Sequence, residues 1–144
     1  MKIIFMLAFA IVGFTNFHTA SADDSISHDV APLSEGNWPS NTAKSWQEID
    51  KSLSQMKHFA KNGDLMLLRK SARNMGIAVR ALEQKIYLED PKKLSEMNHY
   101  LNKLTRSIAD LSVAIKKEDA DVISEILQKL EVSVEKVKKN HPPE

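Results

Sequence analysis

The sequence contains no cysteine among its 144 residues. Without thiols, the chain has no disulfides, no thiolate zinc site, no thiol nucleophile and no covalent attachment of c-type haem. A chain of about 120 residues can nevertheless bury roughly two thirds of its unfolded surface in one core. We therefore expect a single domain that is held together by hydrophobic packing.

Glycine is also scarce, with four residues in the whole chain. The sequence has no glycine-rich phosphate loop and no nucleophile elbow. Its many serines and aspartates are of the kind that cap helices or solvate their surfaces. The sequence therefore predicts that the protein is not an enzyme.

The charges of the two signs nearly cancel. The chain holds 20 lysines and arginines against 19 aspartates and glutamates, and loss of residues 1–22, which include Lys2, leaves 19 of each. Nucleic acids and anionic membranes are bound through clustered basic side chains. The balance of charge gives no reason to expect either partner.

Residues 1–22 have the pattern of a secretory signal peptide. Lys2 precedes an apolar run at residues 3–14, and Ala20 and Ala22 frame a cleavage signal before Asp23. The apolar run is too short to span a bilayer, which takes about 20 residues. We expect export to the periplasm, with general secretion as the alternative; an uncleaved N-terminal anchor stays open.

Residues 23–40 follow with few apolar side chains and no periodicity. They include Pro32, Gly36 and Pro39. This composition predicts a flexible N-terminal arm before the folded part of the chain.

Four amphipathic helices are predicted between residues 41 and 141, followed by a short tail at residues 142–144. In each helix apolar residues recur at steps of three and four, the spacing of one helix face. The four faces are Trp46, Ile49, Leu53, Met56 and Ala60; Leu68, Ala72, Met75, Val79, Leu82 and Ile86; Leu94, Met97, Leu101, Leu104, Ile108, Leu111 and Ile115; and Ile123, Leu127, Leu130, Val134 and Val137.

The helix boundaries carry their own signals. Asn62, Gly63 and Asp64 end the first helix and begin the second, and Asp90 before Pro91 marks the start of the third. Asp119 begins the fourth helix in the same way. Short connections make successive helices antiparallel neighbours, so the sequence predicts an all-α, up-down-up-down four-helix bundle.

An internal repeat supports two αα-hairpins. A shift of 55 residues places Ile49 on Leu104 and Asp64 on Asp119, and the other apolar positions follow. The apolar faces of the second and fourth helices are broader than one stripe, with Leu65, Met66 and Leu67 on one and Val122, Ile126 and Val132 on the other. These extra residues are either flanks of the core or the seam of a homodimer. Met56, Met66 and Met75 are expected to fill gaps in the core.

Two copies of a Met-x-His motif stand in "LSQMKHF" at residues 53–59 and "LSEMNHY" at residues 94–100. Residues two apart on a helix differ by about 200° in direction, so Met56 and His58, like Met97 and His99, do not face the same side. The copies are 41 residues apart rather than 55, which separates them by about 21 Å along the bundle. They cannot form one metal site in a monomer.

A different set of donors lies level at the end where the chain enters and leaves the bundle. Met97 and His141 are equally far from the turn at Asp119, and Trp46 belongs to the same end. Thioether and imidazole donors suit a soft metal such as copper. We predict Met97, His99 and His141 as metal ligands and Met97, His141 and Trp46 as cofactor contacts; alternatively, His141 is pushed out of the helix by Pro142 and lies in solvent.

The predicted signal peptide, the Asp-capped hairpins and the stretch "DLSVAIKKEDADVISEILQKLEVSVEKVKKNH" resemble periplasmic four-helix bundles of the cytochrome b562 and cytochrome c-prime kind. The likeness covers residues 41–141. It implies haem at the open end of the bundle, held by a methionine early in the first helix and a histidine late in the fourth. His141 matches the histidine, whereas "NTAKSWQEI" holds no methionine and Met97 would serve instead.

The sequence thus predicts a small exported binding protein without catalytic activity, with haem or copper as the candidate ligand at the open end. The alternative is a cofactor-free interaction module that acts through a helix face or through the N-terminal arm.

Overall fold

The computed structural model describes residues 30–33 and 37–143 of the chain. The predicted signal peptide and residues 23–29 of the predicted arm lie outside the described residues. Four helices follow one another, α1 (Thr42–Asn62), α2 (Leu65–Glu89), α3 (Pro91–Lys117) and α4 (Ala120–Asn140). The part of the chain that the structure describes contains no strand. The predicted all-α four-helix bundle is confirmed.

The second, third and fourth helices each start at the capping residue that the sequence indicates. The Asp64 carboxylate accepts a hydrogen bond from the amide of Leu67 at 3.0 Å, and Asp119 accepts one from Val122 at 3.1 Å. Asp90 accepts from the amides of Lys92 and Lys93. These bonds satisfy amide groups that have no partner within the first turn of a helix.

The two hairpin turns repeat the same geometry 55 residues apart. Gly63 ends α1 in the left-handed conformation, with φ of 71°, and Glu118 ends α3 with φ of 55°. In both turns the next residue is the aspartate that caps the following helix. Glycine adopts this conformation at no steric cost, whereas Glu118 is the one described residue other than glycine that adopts it.

Successive helices pack side by side, and the ring closes where α4 returns to α1. The predicted apolar faces meet in one core, and most of their side chains are less than 5% exposed. Three serines of α1 and α2, Ser45, Ser52 and Ser71, have no exposed surface. Among adjacent helices, α1 and α2 pack most closely and α1 and α4 least closely.

The extra apolar residues of α2 and α4 divide into a group that packs against the core and a group that is exposed. Leu65 and Leu67 pack against the core and Ile126 is buried, as expected for core flanks. Met66, by contrast, is 65% exposed, so its predicted role as a core gap filler is wrong, whereas Met56 and Met75 are fully buried. Met66 stands two residues before Leu68, the first residue of the α2 stripe, so its side chain points to the opposite side of the helix, away from the bundle.

None of the described helices is both long enough and apolar enough to cross a membrane.

Candidate functional site

Met97, the central residue of the predicted cofactor site, lies inside the bundle. Its side chain is 1% exposed and belongs to the continuous hydrophobic core. It stands on the buried stripe of α3, between Leu94 and Leu101. The thioether is therefore enclosed by apolar side chains.

His141 occupies a different environment. The helix α4 ends at Asn140, and His141 follows with φ of −138° and ψ of 75°, because the residue before a proline is disfavoured in the helical region. The residue therefore does not extend the buried stripe of α4. Its amide still donates to the carbonyl of Val137 at 2.8 Å, which holds it against the end of the helix.

The cavity beside His141 is polar. It has a volume of about 460 Å³ and is lined by Asp90, Lys92, Lys93, Glu96, Asn140, His141 and Pro142. Neither Met97 nor Trp46 contributes to its walls. Charges of both signs surround the imidazole, rather than the apolar walls that hold a haem macrocycle.

Trp46 seals the core at the same end. It is 3% exposed. The ammonium group of Lys138 lies 5.7 Å from the centroid of the indole ring, a cation–π distance, and the same ammonium pairs with the carboxylate of Asp50. The indole ring at the predicted open end of the bundle is thus covered by a charged side chain from α4.

The two Met-x-His copies have the geometry that helical periodicity predicts. Met56 and Met97 are buried, while His58 is half-buried and His99 is exposed. Each imidazole meets the following aromatic ring edge-on, with centroids 5.4 Å apart for His58 and Phe59 and 5.6 Å apart for His99 and Tyr100. The inference that methionine and histidine of one copy face different ways is confirmed.

These positions do not fit a haem or a copper ion. A metal draws its ligands to within about 2.0–2.4 Å, so donors of one site must share one cavity. Met97 is in the core, His141 lies in a surface cavity, and His99 is exposed on α3. Residues 30–33 and 37–143 also contain no cluster of three or more histidine, aspartate or glutamate side chains suited to a metal.

A groove with mainly apolar walls lies between α1 and α4. Its volume is about 470 Å³, and it is lined by Lys57, Ala60, Lys61, Gly63, Leu65, Glu118, Ala120, Ile123, Ser124, Leu127, Gln128 and Glu131. It lies at the hairpin-turn end, between the two adjacent helices that pack least closely in this bundle. The Lys57 ammonium and the Glu131 carboxylate bridge it at 2.6 Å. No sequence pattern predicts this groove, because both helices carry unbroken apolar stripes.

A second feature is a clamp that fixes part of the predicted arm. Asn74 of α2 is only 2% exposed, its amide nitrogen donates to the carbonyl of Ala31 at 2.9 Å, and its oxygen accepts from the amide of Leu33 at 3.0 Å. Val30 is buried in the core cluster. Residues 30–33 of the segment predicted to be flexible therefore lie against the bundle.

The clamp suits the residues that it holds. Pro32 fixes its own backbone near the extended region and disfavours a helical conformation at Ala31. The carbonyl of Ala31 and the amide of Leu33 can therefore both bond with one side-chain amide. The only sign of this contact in the sequence was a polar residue, Asn74, among small or apolar residues of α2.

Glu83, also on α2, has an altered acidity. Burial raises the pKa of its carboxyl, and the guanidinium of Arg80 partly opposes the rise. The folded state then binds the proton more tightly than the unfolded state does. The resulting stabilisation is fully present below the ordinary pKa of glutamate and is lost as pH rises through the pKa of the folded state.

We expect Glu83→Gln to flatten the dependence of thermal stability on pH in that interval. The melting temperature measured at a series of acidic to neutral pH values tests this. Glu135→Gln, at an exposed position on α4, is the matched control. Its melting temperature should depend on pH as that of the unmodified protein does. A profile for Glu83→Gln that stays parallel to the unmodified one contradicts the assignment.

Comparison with known proteins adds no relative: no protein-family model matches the chain, and no curated protein or solved structure is significantly similar to it. The resemblance to the cytochrome bundles stays a prediction.

Proposed function

We propose that this protein is a non-enzymatic interaction module that binds an amphipathic helix of a partner protein in the groove between α1 and α4. The observation that carries the proposal is the groove itself, which lies between the least closely packed pair of adjacent helices. Ala60, Leu65 and Ala120 keep exposed surface on its walls. Helix-in-groove binding uses an apolar stripe at helical spacing against such a surface.

The dimensions of the groove suit a short helix. Its α4 wall runs from Ala120 to Glu131, which is about 17 Å or three helical turns. Ile123 and Leu127, one turn apart, form the deep part of this wall, and Ala60 and Leu65 stand opposite them. Ile123 and Leu127 are already buried, so a partner helix of about three turns with leucine-like residues at i, i+3, i+4 and i+7 would cover mainly the partly exposed Ala60 and Leu65.

The charges on the two walls give the partner a direction. Lys57 and Glu131 pair with each other across the groove, which leaves Lys61 on the α1 wall and Glu118 on the opposite side for a partner. A helix with acidic residues along one flank of its apolar stripe and basic residues along the other is complementary to both walls. Such pairs contribute more to register and specificity than to affinity.

This interaction reading is favoured over the haem or copper carrier because Met97, His99 and His141 lie in separate surroundings, whereas the groove is lined by apolar and charged side chains within one cavity. Export is part of the proposal and rests on the pattern of residues 1–22 alone. Mass spectrometry of the protein from the periplasm and from the medium should give an N-terminus at Asp23; an uncleaved chain in the membrane fraction would contradict it.

The groove is tested with a fluorescent model helix of about three turns, with a leucine stripe, an acidic flank and a basic flank. Fluorescence anisotropy against residues 23–144 measures its affinity. Ser124→Trp, which places a large ring on the wall of the groove, should weaken binding by at least about tenfold, equivalent to 1.4 kcal/mol. Ser95→Trp, at an exposed position of α3 outside the groove, should leave it unchanged.

A peptide with lysine on both flanks serves as the charge control and should bind more weakly. Equal weakening by Ser95→Trp, or no binding of either peptide, contradicts the proposal. Light scattering across a range of protein concentrations tests the alternative occupant, a second copy of this chain. A dimer that dissociates with Ser124→Trp would replace the partner helix by self-association.

A further inference from the structure

A cavity of about 460 Å³ lies on another side of the bundle, between α2 and α3, and the N-terminal segment forms part of its wall. It is lined by Leu33, Trp38, Arg73, Gly76, Ile77, Arg80, Thr105, Ile108 and Ala109. Small-molecule sites have volumes of about 300–1,000 Å³ and combine apolar walls with a few polar groups. This cavity has both characteristics.

Among the described residues that line it, two arginines are the only charged side chains and none is acidic. Arg73 and Arg80 are seven residues apart on α2, which places them on one face of the helix about 10 Å apart along its axis. No described residue forms an ion pair with either guanidinium. Arg80 does interact electrostatically with Glu83, which lies outside the cavity.

The rest of the wall is apolar or aromatic. The indole of Trp38 and the side chain of Leu33 come from the N-terminal segment, and Ile77 and Ile108 come from the helices. Leu33 is kept in place by the hydrogen bond from its amide to Asn74. Part of this wall is thus fixed by a buried side chain rather than laid loosely on the surface.

Gly76 leaves space within the cavity. A methyl group at this position would meet only one atom within 4 Å, the Cγ2 of Ile108 at 3.8 Å, which is an ordinary contact. Glycine in the middle of a helix costs about 1 kcal/mol relative to alanine. Close packing of α2 against α3 does not require this glycine, and a larger side chain would extend into the cavity.

We propose that this cavity binds a small amphipathic organic anion, with its apolar body against Trp38, Ile77 and Ile108 and its carboxylate, sulfonate or phosphate group on the guanidinium groups of Arg73 and Arg80. Guanidinium groups bind such anions through paired, charge-assisted hydrogen bonds. The hydroxyl of Thr105 offers a further donor. The site is separate from the groove between α1 and α4 and does not depend on it.

Two dyes that differ mainly in charge test the proposal on residues 23–144. Anilinonaphthalene sulfonate carries an aromatic body and an anionic group, and N-phenylnaphthylamine is its neutral analogue. The fluorescence of both rises in apolar surroundings. We expect the sulfonate to bind once per chain, and Arg73→Gln and Arg80→Gln each to weaken it by at least about tenfold, while the neutral dye binds all three proteins alike.

Two further variants separate this site from general effects. Arg106→Gln removes the same charge from α3 outside the cavity and should leave sulfonate binding within about twofold. Gly76→Leu fills the cavity without removing an arginine and should abolish binding of both dyes. Circular dichroism verifies that each variant is helical.

Equal weakening by Arg106→Gln would show attraction to overall charge and overturn the proposal. Sulfonate binding that persists in Arg73→Gln and Arg80→Gln would overturn it as well, because the dye would then bind another apolar surface. If Gly76→Leu does not fold, the two arginine variants and the neutral dye still decide the result.

Discussion

Replacing Leu104 with alanine lowers the free energy of unfolding by about 2–5 kcal/mol, a large part of the roughly 5–15 kcal/mol that stabilises a domain of this kind. Leu104 lies in the middle of α3 and has no exposed surface. The substitution removes buried methyl groups and leaves a cavity that the surrounding helices fill only in part. Urea unfolding followed by circular dichroism gives the change directly.

The adjacent exposed residue provides the matched control. Lys103→Ala, one position earlier on α3, should change the free energy of unfolding by less than about 0.5 kcal/mol, as most surface substitutions do. The slope of the unfolding curve should be the same in both variants, since each unfolds the same amount of structure. A loss below about 1 kcal/mol for Leu104→Ala would mean that α3 does not pack as described.

The helices and their order could be predicted because their signals are local. The carboxylates of Asp64, Asp90 and Asp119 cap amides two or three residues away, and the stripe of each helix follows from the helical period alone. The repeat at 55 residues even placed the two hairpin turns. Met66 was misassigned because it adjoins the stripe, although neighbours on a helix point about 100° apart.

The candidate sites were less accessible to sequence reasoning because they depend on contacts between distant segments. Met97 and His141 were correctly placed near one end of the bundle. Two residues at the same height along the bundle axis do not necessarily face the same cavity, however. Lys138, whose ammonium group covers the ring of Trp46, lies 92 residues later in the chain. No local pattern specifies such a contact, or the groove that loose closure leaves between α1 and α4.

The clamp at Asn74 is the clearest such case. Its partners, Ala31 and Leu33, lie 43 and 41 residues away, and the composition of residues 23–40 gave no reason to expect them in contact with a helix. A few hydrogen bonds to backbone groups can dock a segment that is too polar to form a core of its own. The N-terminal segment and the cavity that it helps to form are therefore linked through one side chain.

We expect Asn74→Ala to release residues 30–33 from α2. The change removes both hydrogen bonds of the clamp, each of which contributes about 0.5–1.5 kcal/mol, and it also weakens the burial of Val30. The loss of stability should therefore be about 1–3 kcal/mol if the bonds act together. Hydrogen exchange of the Leu33 amide measures the release directly, because that amide donates to Asn74 in the unmodified protein.

Three comparisons distinguish a clamp from a general packing defect. Asn98→Ala, which removes an asparagine whose only described partner is the exposed Asn102, should leave exchange at Leu33 unchanged. Asn74→Asp keeps the acceptor for Leu33 but loses the donor to Ala31 and introduces a buried charge, so it should release the segment more than it disturbs the helices. Exchange in the middle of α3, around Leu104, should stay slow in every variant.

If Asn74→Ala raised exchange at Leu104 as much as at Leu33, the side chain would support the whole bundle rather than hold the N-terminal segment, and the clamp would have to be abandoned.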